Sequence, residues 1–287
     1  MQVAEWTSES GDGVCIEGGN DPNDINHTPI QPMTDLTNGS SFLVRTFQKG
    51  FAEYVDQPGL IQNKGASLSS HLDGRFMRLF GTEGNDWLTA PAQSTAKWIV
   101  TAGEGNDYMQ GTDNNVNLMF GGEGDDYMHG SSTFRDDLIG GAGDDKIFGH
   151  GGNDKLKGND GDDQILGGDG NDKLFGGKGD DQLQGGNGDD LLLAGHGSNM
   201  YYGGAGADRF GLMKQHDQNV IGDFNHEEGD RLLIRRRHID SVEVSFVGNT
   251  GANGEPQFWL ESDMGLTGIQ AKAGTTAADI MDAIKLM

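Results

Sequence analysis

Along residues 140–211 an apolar side chain returns at every ninth position: Ile147, Leu156, Ile165, Leu174, Leu183, Leu192, Tyr201 and Phe210. Two places before each stands Asp145, Asp154, Asp163, Asp172, Asp181, Asp190, Asn199 or Asp208. In register the units read GGAGDDKIF, GHGGNDKLK, GNDGDDQIL, GGDGNDKLF, GGKGDDQLQ, GGNGDDLLL, AGHGSNMYY and GGAGADRFG. Glycine gives these units positive φ and close backbone approach. Asn or Asp in the fifth place tolerates left-handed geometry and bonds to its own backbone. The first six places therefore predict a turn. The last three predict a short strand, with only the eighth side chain facing inward.

A turn and a strand make half a coil, so two units make one coil of a flattened parallel roll. A three-residue strand buries no core alone, but stacked coils do. Stacking brings the carboxylates of one unit close to those two units on, which is repulsive unless a hard cation lies between them. Carboxylates and turn carbonyls together offer six or more oxygens, a set that suits Ca²⁺ better than Mg²⁺. The stretch has no Cys and its two His are irregularly placed, which argues against zinc or copper.

The pattern G-G-x-G-[ND]-D-x-U-x, with U apolar, resembles the RTX family. That resemblance implies an all-β fold: a right-handed parallel β-roll stapled by calcium, with an irregular N-terminal cap and a small β-rich C-terminal cap ending in a helix. The expected carboxylate ligands are Asp86, Asp107, Asp126, Asp136, Asp145, Asp154, Asp163, Asp172, Asp181, Asp190 and Asp208. The glycines of the turns, Gly141, Gly143, Gly152, Gly161, Gly168, Gly170, Gly177, Gly179, Gly186 and Gly188, are expected to complete the sites. Up to about ten Ca²⁺ would nearly neutralise the chain if neighbouring turns share ligands.

The roll is expected to run over 81–211. GTEGNDWLT, AGEGNDYMQ and GGEGDDYMH, starting at Gly81, Ala102 and Gly121, are full units. Between them lie degenerate ones. Residues 93–101 keep Val100 in the eighth place but carry Trp98 in the sixth; 111–119 are read with Leu118 eighth and Val116 sixth; 131–139 recover Asp136 and Leu138. Small insertions are read at 90–92, Phe120 and Gly130. Alternation divides the sixth places into two columns. One holds Asp86, Asp107, Asp126, Asp145, Asp163, Asp181 and Asn199; the other holds Trp98, Val116, Asp136, Asp154, Asp172, Asp190 and Asp208.

Residues 1–80 form an irregular N-terminal segment. Its first forty residues are rich in glycine and proline and read as loops. Phe42–Tyr54 is compatible with a helix or a strand pair. Residues 59–80 are placed to cap the first coil. Residues 212–287 form a C-terminal capping and secretion-signal region. Asn219–Ile234 reads as strand, turn, strand and resembles the element that closes RTX repeats; Asp223 and Asp230 are either a last calcium pair or plain turn residues. VEVSFVG, PQFWLES and LTGIQAKAG read as strands, and Thr275–Met287 as a capped amphipathic helix.

The formal net charge is −25 and the pI about 4.4. This balance argues against nucleic acid as partner, which needs a basic face. An acidic Gly-rich chain without calcium is expected to stay largely disordered. Cys15 is the one cysteine, so no intrachain disulfide forms. No apolar run is long enough for a transmembrane segment, and the N-terminus lacks the pattern of a cleaved signal peptide. Membership of the RTX family would instead imply export through the type I secretion machinery, read from an uncleaved C-terminal signal.

No HExxH, GxSxG, P-loop or EF-hand signature is present. The paired carboxylates follow from the repeat and need no acid–base role. His150 and His196 read as solvated turn residues. Trp87, Trp98, Tyr108 and Tyr127 read as cap packing or a sugar-binding stripe. Arg235–His238 reads as a strand end, or as a contact to an acidic polysaccharide or membrane surface. The expected function is that of a secreted, non-enzymatic calcium-binding RTX protein. It would fold on Ca²⁺ outside the cell and act at a cell surface, in a matrix or on a partner. The alternative is the calcium-dependent folding and secretion module of an RTX hydrolase or polysaccharide epimerase.

Overall fold

Because one coil is two units, each strand should pair with the strand two units on, and the register obeys this. Ile147 lies opposite Ile165, Ile165 opposite Leu183, and Leu183 opposite Tyr201. On the other side Leu138, Leu156, Leu174, Leu192 and Phe210 pair in the same way. The computed structural model describes residues 2–5, 14–17, 67–69, 76–81, 83–90, 97–212, 218–234, 242–249, 255–262 and 265–286. The readings made on Phe42–Tyr54 and on Arg235–His238 fall outside them.

The chain is a parallel β-solenoid of about eight turns; among the described residues it has two eleven-stranded sheets, and Gln2–Glu5 and Val14–Glu17 form a separate antiparallel pair. The first sheet stacks Trp87–Thr89, Tyr108–Gln110, Tyr127–His129, Lys146–Gly151, Gln164–Asp169, Gln182–Asn187, Met200–Ala205 and Gln218–Phe224. The second runs from Phe76–Phe80 through Lys97–Glu104, Asn117–Glu123, Asp137–Ala142, Lys155–Asp160, Lys173–Lys178, Leu191–His196 and Arg209–Leu212 to Arg231–Ile234. Ser67–Ser69 pairs antiparallel with Phe76–Phe80 and covers that end of the second sheet.

The inward eighth-place side chains make the spine of the core. Leu88, Met109, Met128, Ile147, Ile165, Leu183, Tyr201 and Ile221 face Leu79, Val100, Met119, Leu138, Leu156, Leu174, Leu192, Phe210 and Leu232, all fully or almost fully buried. Each such aliphatic burial stabilises by about 1.5–3 kcal/mol. No single coil closes on itself with so little, so stability comes from stacking.

Three expectations need correction. The strands of the regular repeats are six residues long, as in Lys173–Lys178, and not three. The first three places of the next unit continue the ladder, because glycine extends where a neighbouring coil supplies its hydrogen bonds. In residues 111–120 the sixth place belongs to Asn117 and the eighth to Met119, not to Val116 and Leu118: Asn117 lies opposite Trp98, and Met119 opposite Val100 and Leu138. The unit is ten residues long, with its extra residue in the turn, so Phe120 is an ordinary ninth place. The coil pairing also continues beyond Gly211, through Ile221 opposite Tyr201 and Leu232 opposite Phe210.

After the roll, Gly265–Ala271 joins the first sheet beside Gln218–Phe224, and Pro256–Ser262 and Glu243–Asn249 follow antiparallel. The C-terminal helix is shorter than expected, Ala277–Ala283. Thr276 caps it in a reciprocal box with Asp279. The chain then returns to strand, Ile284–Leu286, against Arg231–Ile234.

Candidate metal centre

The two expected columns exist as hydrogen-bond chains. On the first side the backbone N–H of Asp86 donates to Asp107 Oδ1 at 2.6 Å, Asp107 to Asp126 at 2.8 Å, and Asp126 to Asp145 at 2.8 Å. The chain continues through Asp163 and Asp181 to Asn199. On the second side Asn117 donates to Asp136, and the chain runs through Asp154, Asp172, Asp190 and Asp208 to Asp230. Trp98 stands at the head of this column, fully buried and without a carboxylate.

A second pair of chains, which the sequence did not reveal, runs along the fifth places in the opposite sense. Asp144 N–H donates back to Asp125 Oδ1 at 2.9 Å, Asp162 to Asp144 at 2.8 Å and Asp180 to Asp162 at 2.7 Å. On the other side Asn171 donates to Asn153, Asp189 to Asn171 and Ala207 to Asp189. Each turn is thus clasped to both neighbours, by its fifth place on one side and its sixth on the other.

Every sixth-place aspartate from Asp107 onward spends Oδ1 on this clasp; at Asp86, which heads the first column, Oδ1 itself is buried with no hydrogen-bond partner. The other oxygen, Oδ2, of Asp107, Asp126, Asp145, Asp154, Asp163, Asp172, Asp181, Asp190 and Asp208 is buried with no hydrogen-bond partner. An unsatisfied buried acceptor costs about 1–3 kcal/mol, and more when charged. Nine of them together rival the roughly 5–15 kcal/mol by which domains are stable. Burial pushes the carboxyls of Asp107, Asp172 and Asp208 up to about 6, those of Asp126, Asp145, Asp163, Asp181 and Asp190 to about 7, and Asp154 to about 8. The bond from the preceding turn opposes this, and nearby carboxylates add to it. Such oxygens call for a cation.

First-place glycines make the arrangement possible. A Cβ at Gly140 would collide with Asp145 Oδ2. Gly141, in the second place, has φ 140° and lies over the carbonyl of Gly122, so it needs glycine for both conformation and space. The expected fourth-place glycines, Gly143, Gly152, Gly161, Gly170, Gly179 and Gly188, all have positive φ. The amide of Asn199 shows where the carbonyl of this place faces: Nδ2 donates to Gly197 O at 3.0 Å. Second-place Gly168, Gly177 and Gly186 repeat the geometry of Gly141. Among the described residues no three Asp, Glu, His or Cys side chains form a metal-holding group. A cation here draws on turn carbonyls as well as carboxylates, and hard oxygen donors of that kind fit calcium.

A model of the RTX calcium-binding nonapeptide repeat matches four times, over residues 101–133, 132–165, 149–183 and 175–210. Residues 101–210 are RTX calcium-binding repeats. No curated protein matches the chain. A similar solved structure is the solution structure of the AlgE6R3 subunit from the Azotobacter vinelandii mannuronan C5-epimerase. It is 21% identical and the match covers 57% of this chain and 80% of that one, with a TM-score of 0.21.

The second RTX column is sealed at its ends by protein donors. Asp136, expected among the ligands, has both oxygens occupied. Asn117 donates to Oδ1 from its backbone N–H at 2.6 Å and from Nδ2 at 2.9 Å, and Ser131 donates to Oδ2 from N–H and Oγ. The same Nδ2 reaches the carbonyls of Thr112 and Asn115. Asn117 thereby holds three oxygens, as a cation would. At the other end of this column Asp230 accepts from Asp208 N–H and Asn225 N–H. The chain insertions also avoid the first column. They fall ahead of Trp98, Asn117 and Asp136 in the chain, and the units leading to Asp107, Asp126 and Asp145 keep six places.

On the outer face of the first sheet Trp87, Tyr108 and Tyr127 stack along the coils, with centroids 4.5 and 5.6 Å apart. Phe148 and His129 continue the stack, and His129 Nδ1 lies 2.8 Å from His150 Nε2. Tyr108 and Tyr127, and His129 with Phe148 and His150, lie face to face, while Trp87 is tilted 40° against Tyr108. Trp98 takes no part, being core. His150 is therefore part of this stack, while His196 is exposed.

Proposed function

We propose that this calcium-binding repeat protein is secreted, folds when it meets calcium outside the cell, and acts without a catalytic site of its own at a cell surface, in a matrix or on a partner. The observation that carries the reading is the double file of buried Oδ2 atoms with no partner. Asp107, Asp126, Asp145, Asp163 and Asp181 would hold cations on one side, and Asp154, Asp172, Asp190 and Asp208 on the other, together with fourth-place carbonyls. Bound calcium supplies positive charge between carboxylates that otherwise repel. Its binding energy then becomes folding energy, because the unfolded chain has no such sites. Export would use the type I machinery, for which a chain kept loose by low calcium inside the cell is suited. Among the described residues no helix is long and apolar enough to cross a membrane.

Circular dichroism and calorimetric titration test this. Calcium should raise the strand signal of a chelated sample sharply, and binding should release protons and show several ions per chain. A strand signal unchanged by chelator would overturn it.

A further inference from the structure

The outer face of the second sheet departs from the charge of the chain. Its seventh and ninth places carry Lys155 and Lys157 on one strand, Lys173 on the next, and Arg209 and Arg231 on two strands farther on. Acidic residues beside them are Asp137 on the preceding strand, 3.5 Å from Lys155 Nζ, and Asp160 at a strand end, paired with Lys178 at 2.8 Å. Elsewhere acids outnumber bases heavily, 45 against 20 over the whole sequence.

Two features make this arrangement costly unless something offsets it. Lys155 and Lys173 are direct cross-strand partners, and so are Arg209 and Arg231. Like charges placed opposite on neighbouring strands destabilise a sheet. Lys173 and Arg209 are exposed, and no acidic side chain among the described residues pairs with them. The two basic groups flank an apolar strand carrying Leu191 and Leu193, and Lys157 Nζ sits 5.8 Å from the Phe175 ring centroid. Strands repeat every 4.7–4.9 Å, so the basic file from Lys155 to Arg231 extends over about 19 Å in a straight line.

We infer that this face binds a carboxylated polysaccharide lying along the coil axis. A linear polyanion matches a linear file of cations, and sugar rings match the apolar surface between them. A planar anionic membrane or duplex DNA would bring many more negative charges against the acidic turns, and five cations are too few to offset that repulsion. The inference goes beyond calcium binding and rests on that reading only in needing a folded roll.

The test uses the calcium-loaded full chain at fixed free calcium, with dichroism confirming the fold in every arm. Calorimetric titration with hyaluronate and oligogalacturonate fragments too short to gel should show binding to at least one, and none to dextran. The double variant Lys173→Gln/Arg209→Gln should lose at least tenfold in affinity, and Lys146→Gln on the opposite sheet should lose nothing. Raising salt from about 0.05 to 0.5 M should weaken binding by the native chain comparably. No binding to either fragment, equal binding by the double variant, equal binding to dextran, or preference for phosphatidylserine vesicles or duplex DNA would each overturn the inference. A chain that folds in calcium yet ignores both fragments loses this inference and keeps the calcium reading.

Discussion

Asp145 donates its backbone N–H to Asp163 Oδ1 at 3.0 Å while its own Oδ1 receives the N–H of Asp126 at 2.8 Å. One residue thus belongs to two intervals of the first column. Asp145→Ala should remove two calcium ions rather than one, and should leave the Asp126 N–H buried without an acceptor, a loss of about 1–3 kcal/mol. Calorimetric stoichiometry against the native chain checks it; a loss of one ion or none would show that sites are not shared between turns.

Asp136 and Asp154 are neighbours in one column with opposite prospects. Asp154→Asn should lower the calcium count. Asp136→Asn should leave the count unchanged and lower the melting temperature, because Ser131 N–H loses its acceptor at about 1–3 kcal/mol. The reverse change, Asn117→Asp, places a carboxylate where three oxygens now meet an amide, and should add a binding event. Ion counts for the three variants, read beside their thermal melts, decide this.

Acid should stabilise the calcium-free roll. The column carboxyls rise from 3.8 to between about 6 and about 8 on folding. Between those limits the folded state holds more protons than the unfolded one, so stability falls as pH rises through the window. A chelated sample should therefore gain strand signal on going from about pH 8 to about pH 5. Calcium competes with the same protons, so its apparent affinity should climb as the pH rises from about 5 to about 8, and binding should acidify a weak buffer. An affinity flat from pH 5 to 8 would contradict the burial of these carboxylates.

Gly140→Ala should destabilise the roll. The added carbon meets Asp145 Oδ2, and overpacking at a rigid site costs about 1–3 kcal/mol. A thermal melt in calcium should show the drop. The same change at Gly84, where the added carbon meets nothing nearby, serves as control.

The eighth-place core and both sixth-place columns were legible because one period controls inward direction and turn placement alike. Trp98 was legible as the residue that breaks a column. Asn117 was misassigned because Leu118 and Met119 are both apolar and the extra residue hides in the turn. Strand length was underestimated because glycine reads as punctuation, although here it is held in the ladder by the coils on either side. Asp230 was legible as a candidate beside Asp223, and the bond from Asp208 places it in the second column; Asn219 has no repeat pattern around it, and only the hydrogen bond of Asn199 discloses it. The sealing of Asp136 by Ser131 and Asn117 depends on side chains from different coils, which no periodicity encodes.

The insertions have a consequence for uniqueness. Between Asp136 and Asp208 a shift of 18 residues carries one coil onto the next, so core, turns and clasps there would all survive a slip of one full coil. A sequence made only of such coils would possess several folded alignments of nearly equal energy. The coils of 21 and 19 residues near the N-terminus and the large rings of Tyr201 and Phe210 near the other end fit only one of them. The irregular units act as the notches of a key, choosing a single alignment for a stack that would otherwise be free to choose among several.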